Sequence, residues 1–216
     1  MPSVSATNVE RSSAEYHSHM RTTRRDIVIC LAGLTACGKS TAARLLANKY
    51  SLKYVSGGTT LKELAQKAAG AEKAGKGWWE TSHGMRFLQQ RLRDSSFDRQ
   101  VDNQLLRYAQ EGNVVLDSWT MPWLSEKGFK IWLEVSPQER AKRLAQRDGV
   151  SVQEAAEMIR KKDGKTKQIY RKLYDFRLGE DYSPFDVVLD SELLTSEEVF
   201  DTLSLIIDRL VLKRGR

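Results

Sequence analysis

Residues 33–41 read Gly-Leu-Thr-Ala-Cys-Gly-Lys-Ser-Thr, a complete G-x-x-x-x-G-K-S pattern, and the six residues before it, Ile27 to Ala32, form an unbroken apolar run. Few segments of nine residues restrict a fold so strongly. A buried strand must feed a tight glycine turn, and a helix must follow at once, because the N–H groups of the turn and the positive end of the helix converge on one anion. Ser40 to Tyr50 are strong helix formers and supply that helix. The order predicts a phosphate-binding loop made by Gly33, Leu34, Thr35, Ala36, Cys37, Gly38, Lys39, Ser40 and Thr41. In such a loop the lysine, Lys39, reaches the β- and γ-phosphate oxygens, and the hydroxyl of Ser40 ligates Mg²⁺. ATP as co-substrate and Mg²⁺ arriving with it are the expected ligands.

The chain after the loop keeps alternating between strand and helix. Leu52 to Ser56 reads as a short strand, followed by Gly57-Gly58 and a helix from about Thr59 to Ala69. Gly70 to Gly77 is a flexible polar break, and helical patterns resume over Gly84 to Arg93 and Asp98 to Gln110, the second closed by Gly112. Val114 to Asp117, Phe129 to Val135 and Phe185 to Asp190 are strand-like. Three helix starts are marked by Ser136-Pro137-Gln138-Glu139, Ser151-Val152-Gln153-Glu154 and Thr195-Ser196-Glu197-Glu198, each an N-cap with a capping-box glutamate. The last helix is expected to bury Val199, Leu203, Ile206, Ile207 and Leu210 on one face. Five apolar strands alternating with helices predict an α/β P-loop NTPase three-layer fold. It has a five-stranded parallel sheet, helices on both faces and a small helical lid, with ligands outside the carboxyl ends of the strands.

One domain accounts for residues 26–212, with a substrate-binding helical segment over about 57–111 and a basic lid over about 147–178. Residues 1–25, rich in Ser, Thr and Arg and lacking the apolar core of a secretory signal, read as a disordered extension. The apolar runs are of strand length, so no membrane partner is expected. Of the two cysteines, Cys30 falls in a buried strand and Cys37 in the phosphate loop. A disulfide between them would distort that loop, which favours a reducing, cytoplasmic setting. The net charge of +7 raises the question of nucleic acid, and its location answers it. Arg140 to Arg177 contains twelve Lys/Arg against five Asp/Glu, an excess equal to the whole net charge. A basic lid closing over phosphates explains that concentration without a nucleic-acid partner, and a monomer is expected.

A phosphate loop alone fits several reaction classes. An N-K-x-D base-reading segment of a GTPase is absent from the sequence, whereas a basic helical insertion lies between the fourth and fifth strands. That points to phosphoryl transfer between small molecules. The sequence resembles the cytidylate kinase family, particularly its short archaeal-type members, from Ile27 nearly to Asp208. Ser56 to Ala65 looks like the family's S-A-G-D-x-F-R-E-L-A segment, and Phe97 to Asp102 resembles its D-x-x-x-D segment. Gly112 to Asp117 is similar to G-N-V-V-L-E, and Arg140 to Gly149 to R-A-x-R-x-x-x-R-E-G. The resemblance implies ATP-dependent phosphorylation of a nucleoside monophosphate, CMP or dCMP.

The chain departs from the pattern at the acceptor side. Ser118-Trp119 stands where the family has Gly-Arg, Lys62 replaces another arginine, and Ile169 stands where a lid arginine is common. The segment Gly77 to Met85, with Trp78 and Trp79, reads as an insertion. The candidate catalytic cations are Lys39, Arg143, Arg147 and Arg160, which would converge on the phosphates. Arg143 and Arg147 share a helix face, while the run Arg160-Lys161-Lys162 also fits a merely solvated face. Asp117, at a strand exit, joins Ser40 as a candidate metal ligand. Lys62, Trp78, Trp79, Asp98, Asp102 and Trp119 are the candidate substrate contacts. The resemblance gives Asp98 and Asp102 the cytosine amino group or the ribose, and the tryptophans, Trp123 included, offer either an aromatic wall for a base or core packing. Two other readings stay open: the same fold acting on a different acceptor, and a non-catalytic ATP-binding or RNA-associated protein.

Overall fold

The computed structural model describes residues 26–69 and 78–213, so the expected extension over 1–25 and the expected break over 70–77 lie outside the described residues. Five strands form one sheet in the order β2-β3-β1-β4-β5, with every pairing parallel. They are β1 (Val28–Ala32), β2 (Lys53–Ser56), β3 (Val114–Asp117), β4 (Phe129–Glu134) and β5 (Val187–Asp190). The helices are α1 (Lys39–Lys49), α2 (Gly57–Ala69), α3 (Ser82–Arg93), α4 (Ser96–Glu111), α5 (Met121–Leu124), α6 (Pro137–Asp148), α7 (Val152–Tyr174) and α8 (Ser196–Ile207). The expected α/β three-layer fold is present. No described helix is long and apolar enough to cross a membrane.

The alternation of β1 builds the layers. Ile29 and Leu31 pack with Leu46 of α1 and Leu203 of α8 on one face, and Val28 and Cys30 pack with Leu61 of α2 and Leu105 of α4 on the other. A further cluster on Trp132, which is fully buried, gathers Leu88 of α3 with Ile169 and Tyr170 of α7. Fully burying such side chains stabilises the fold by about 1.5–3 kcal/mol apiece. Ile169, expected at a lid position, is therefore part of the core.

Ser151 and Thr195 form complete capping boxes at α7 and α8. At α6 only half of the device exists. Ser136 caps the Glu139 N–H, but the Glu139 carboxylate turns to Arg143 and Lys142, and Glu192 takes the Ser136 N–H at 2.7 Å instead. A second correction concerns the C-terminal helix. The backbone widens to a π-helical turn over Asp208–Leu212, which rotates Leu210 off the buried face and leaves it 40% exposed.

β1 lies at the centre of the sheet, and the connections leave to both sides of it. Ligands in open α/β sheets bind outside the carboxyl ends of strands at such a point. The register there pairs Leu31 with Asp117, which sets the β3 carboxylate beside the start of the phosphate loop.

Candidate active site

The loop leaves β1 through Gly33, where a β-carbon would fall 2.7 Å from the Leu133 carbonyl oxygen. It closes through the Cys37 N–H to the Leu34 carbonyl (3.3 Å) and enters α1 at Gly38, whose φ of +94° suits glycine. Gly38 offers no side chain to cap α1, and the positive end of that helix opens on the cavity, where it can meet an anion. The buried Cys37 thiol is pushed above its ordinary pKa by desolvation, which keeps it protonated. Lys39 holds its ammonium 5.2 Å from the centre of the Trp119 ring, and the Trp119 indole N–H donates to the Gly33 carbonyl.

Ser40 donates its hydroxyl hydrogen to Asp117 Oδ2 at 2.5 Å, and the Tyr54 hydroxyl donates to the same oxygen at 3.0 Å. Burial, reinforced by the Asp117 charge, pushes Tyr54 up to about 12, so it remains a donor at neutral pH. A hydroxyl and one carboxylate are oxygen ligands of the kind Mg²⁺ takes when phosphates and water complete its shell.

One cavity of about 440 Å³ runs from Lys39 and Ser40 to a far wall built by α2, α3, α4 and α7. Asp98 and Asp102 do share a face of α4, and both are buried, at 1% and 5% exposure. Asp98 accepts from Arg91 Nε (3.0 Å) and Nη2, and Arg91 is itself only 3% exposed. Asp102 accepts from the Thr120 hydroxyl and from the Tyr174 hydroxyl, each at 2.6 Å. Burial raises the Asp102 pKa to about 6, against the two hydrogen bonds and with help from the Asp98 charge. Tyr170 and Tyr174 are also raised, chiefly by burial.

Residues 28–193 match the model of the cytidylate kinase-like family. The chain belongs to that family. The cytidylate kinase of Ignicoccus hospitalis is 31% identical over 181 residues, covering 82% of this chain and 96% of its own length. That of Pyrococcus horikoshii is 29% identical over 85% of this chain and 90% of its own. Among solved structures, the shikimate kinase from Bacteroides thetaiotaomicron superposes with a TM-score of 0.51 at 18% identity, covering 85% of this chain and 98% of its own, a likeness of fold. The enzyme class is that of a nucleoside monophosphate kinase.

Within this cytidylate kinase-like cavity the predicted residues are unevenly placed. Lys62, Trp78, Trp79, Trp119, Arg143 and Arg147 line it together with the loop and the two α4 carboxylates. Trp78 and Trp79 meet edge to face at 4.9 Å in a short helical turn over Trp78–Glu80. Trp123 does not join them, because it stacks on Phe176 at 4.1 Å in the core beside β4. Arg143 donates to the Ser191 carbonyl (2.9 Å) and, through Nη1, to Cys37 (3.5 Å), so it braces the loop from outside. Arg147 is held by Asp148 through two bonds of 2.7 Å at the cavity mouth. Arg160 is not brought to the cavity: its side chain is 75% exposed and lies beside Glu157. Lys162, from the same charge run, does line the cavity and sits over the Trp79 ring at 5.8 Å. Thr35 uses both its N–H and its hydroxyl on Asp163 of α7.

Sequence reasoning missed Arg91, Thr120, Tyr170 and Tyr174. Arg91 carried a usable signal, since it precedes Asp98 by seven residues at the end of an expected helix. The two tyrosines carried none, because their spacing of four on α7 reads equally well as core.

Proposed function

We propose that the chain transfers the γ-phosphoryl group of ATP to CMP or dCMP. An acceptor phosphate oxygen bonds to the γ-phosphorus as the bond to the β-phosphate oxygen breaks, giving the nucleoside diphosphate and ADP. The observation that carries this reading is the single cavity joining an uncapped phosphate loop to a wall with two buried carboxylates and three tryptophans.

Lys39 and the first-turn N–H groups of α1 receive the β- and γ-phosphates, leaving the Trp119 ring to do so. Ser40 and Asp117 would hold Mg²⁺, which when bound neutralises charge on those phosphate oxygens. Arg143 keeps the loop backbone in place, and Lys62 and Lys162 bring positive charge to the acceptor phosphate. Asp98 and Asp102 accept from the cytosine amino group, by the family pattern, while Trp78, Trp79 and Trp119 exclude water from the transfer. Positioning and charge neutralisation suffice for this chemistry, so no histidine base is needed, and His83 is exposed. The reading makes ATP and a nucleoside monophosphate the partners of a cytoplasmic monomer.

ATP consumption at fixed Mg²⁺ across a panel of nucleoside monophosphates tests it, with Lys39→Ala as control. Turnover with CMP or dCMP that falls by at least ~100-fold in the variant is the expected result. Silence across the panel, with ATP still bound, would replace the acceptor assignment.

A further inference from the structure

Ala36 stands inside the phosphate loop at φ +66°, a left-handed conformation that residues with a β-carbon avoid. Backbone strain of this kind persists only where the surroundings over-determine it. The surroundings here come from the far end of the sequence. Asp163 Oδ1 accepts from both the hydroxyl (2.6 Å) and the N–H (3.3 Å) of Thr35, a residue 128 positions earlier. Asp163 Oδ2 accepts from Arg140 Nη1 at 2.7 Å, and the same nitrogen donates to the Thr35 carbonyl at 3.1 Å. Arg140 Nε is anchored in turn on the Val135 carbonyl at 3.3 Å. Thr35, Arg140 and Asp163 are 3%, 5% and 6% exposed, so water does not compete for these bonds.

The consequence is geometric. Fixing the N–H of Thr35 sets the peptide plane before it, and fixing its C=O sets the plane after it, which is the plane that determines φ of Ala36. We infer that Asp163 is a positioning residue that acts through Thr35 and Arg140 to hold Ala36 left-handed, so that the loop is shaped for a nucleoside triphosphate before one arrives. An ion pair serving only to staple α7 to α6 would have no reason to place three bonds on the backbone and side chain of one loop residue. The inference rests on the phosphate-loop reading above and adds to it a residue outside the loop on which donor affinity depends.

Thr35→Val tests it, because it removes the 2.6 Å hydroxyl bond that holds Asp163 Oδ1 against the longer 3.3 Å bond from the Thr35 N–H, while keeping side-chain shape and the Arg140–Asp163 pair. The KM for ATP and the Kd for ATP rise about tenfold on loss of this charge-assisted bond, while the acceptor KM stays within about twofold. Thr35→Ser, which keeps the hydroxyl, stays near the wild type. The decisive variant is Thr35→Val combined with Ala36→Gly, because glycine adopts positive φ without strain. It recovers most of the ATP affinity. A Thr35→Val chain that melts earlier but binds ATP as tightly as the wild type overturns the inference, and so does a double variant with no recovery. A wild-type chain that binds no ATP overturns the functional reading and this inference with it, whereas wild-type turnover beside an unshifted Thr35→Val removes this inference alone.

Discussion

Asp102→Asn separates what the acceptor wall costs the fold from what it does. An ordinary aspartate releases its proton near 3.8, whereas the buried Asp102 carboxyl holds it to about 6. The folded chain therefore binds that proton about a hundredfold more tightly than the unfolded chain, a difference of about 3 kcal/mol. Below pH 3.8 both forms carry the proton, and the favourable contribution is complete. As the pH rises through about 6 the folded form must charge a carboxylate in a desolvated site, and the contribution is gone above pH 7. Asparagine has no such penalty, and its carbonyl can still accept from Thr120. Urea unfolding should place the variant about 1.5 kcal/mol above the wild type at pH 5 and about 3 kcal/mol above it at pH 8. The widening of that gap is the diagnostic, because other titrating groups are shared by both chains and cancel. A gap that is constant, or that narrows toward pH 8, would refute the assignment of a raised pKa to Asp102. The acceptor KM should rise in the same variant, since an amide presents a donor where the base presents one.

Arg143→Ala should lower kcat/KM for ATP by ~10-fold or more, because the loop loses a brace, while Arg160→Ala leaves steady-state kinetics within about twofold. Trp119→Leu removes the indole bond to Gly33 and the ring beneath Lys39; its ATP affinity should fall, read by titration calorimetry, while its secondary structure by circular dichroism is unchanged. Asp163→Asn strands Arg140 in the interior and should destabilise the chain by about 3–5 kcal/mol in urea, in contrast to the mild Thr35→Val.

The parts of this molecule that were legible in the sequence are those fixed by local spacing. The phosphate loop, the five strands and the caps at Ser151 and Thr195 each depend on residues within a few positions of one another. The cap at Ser136 shows the limit, because Glu139 had two basic neighbours on its own helix and Glu192, 56 residues away, replaced it. The cavity as a whole joins residues distant in the sequence. Asp102 meets Tyr174 across 72 residues, and Ser40 meets Asp117 across 77. The second pair was found only because a carboxylate ending a buried strand is expected at the ligand-binding edge of the sheet.

Within the basic segment, the structure leaves Arg160 on the outside of α7 and brings Lys162 to the cavity. Long cations gain more from water than from burial, so Arg160 and Lys161 stay on the outside of α7. Of the five acids in that segment, Asp163 is the one taken into the interior, and it could be buried only with Arg140 beside it and two Thr35 donors against it. The pair also bears on motion. For α7 to swing away as a rigid lid, Asp163 and Arg140 would have to part, and breaking a buried pair costs about 3–5 kcal/mol, a population below one in a hundred. Closure over bound nucleotides is therefore more economical on the opposite wall. There the Trp78–Glu80 turn meets α7 through Lys162 over the Trp79 ring, a cation–π contact on the order of 0.5–2 kcal/mol. Asp163 thus ties α7 to the phosphate loop through Thr35 and to α6 through Arg140.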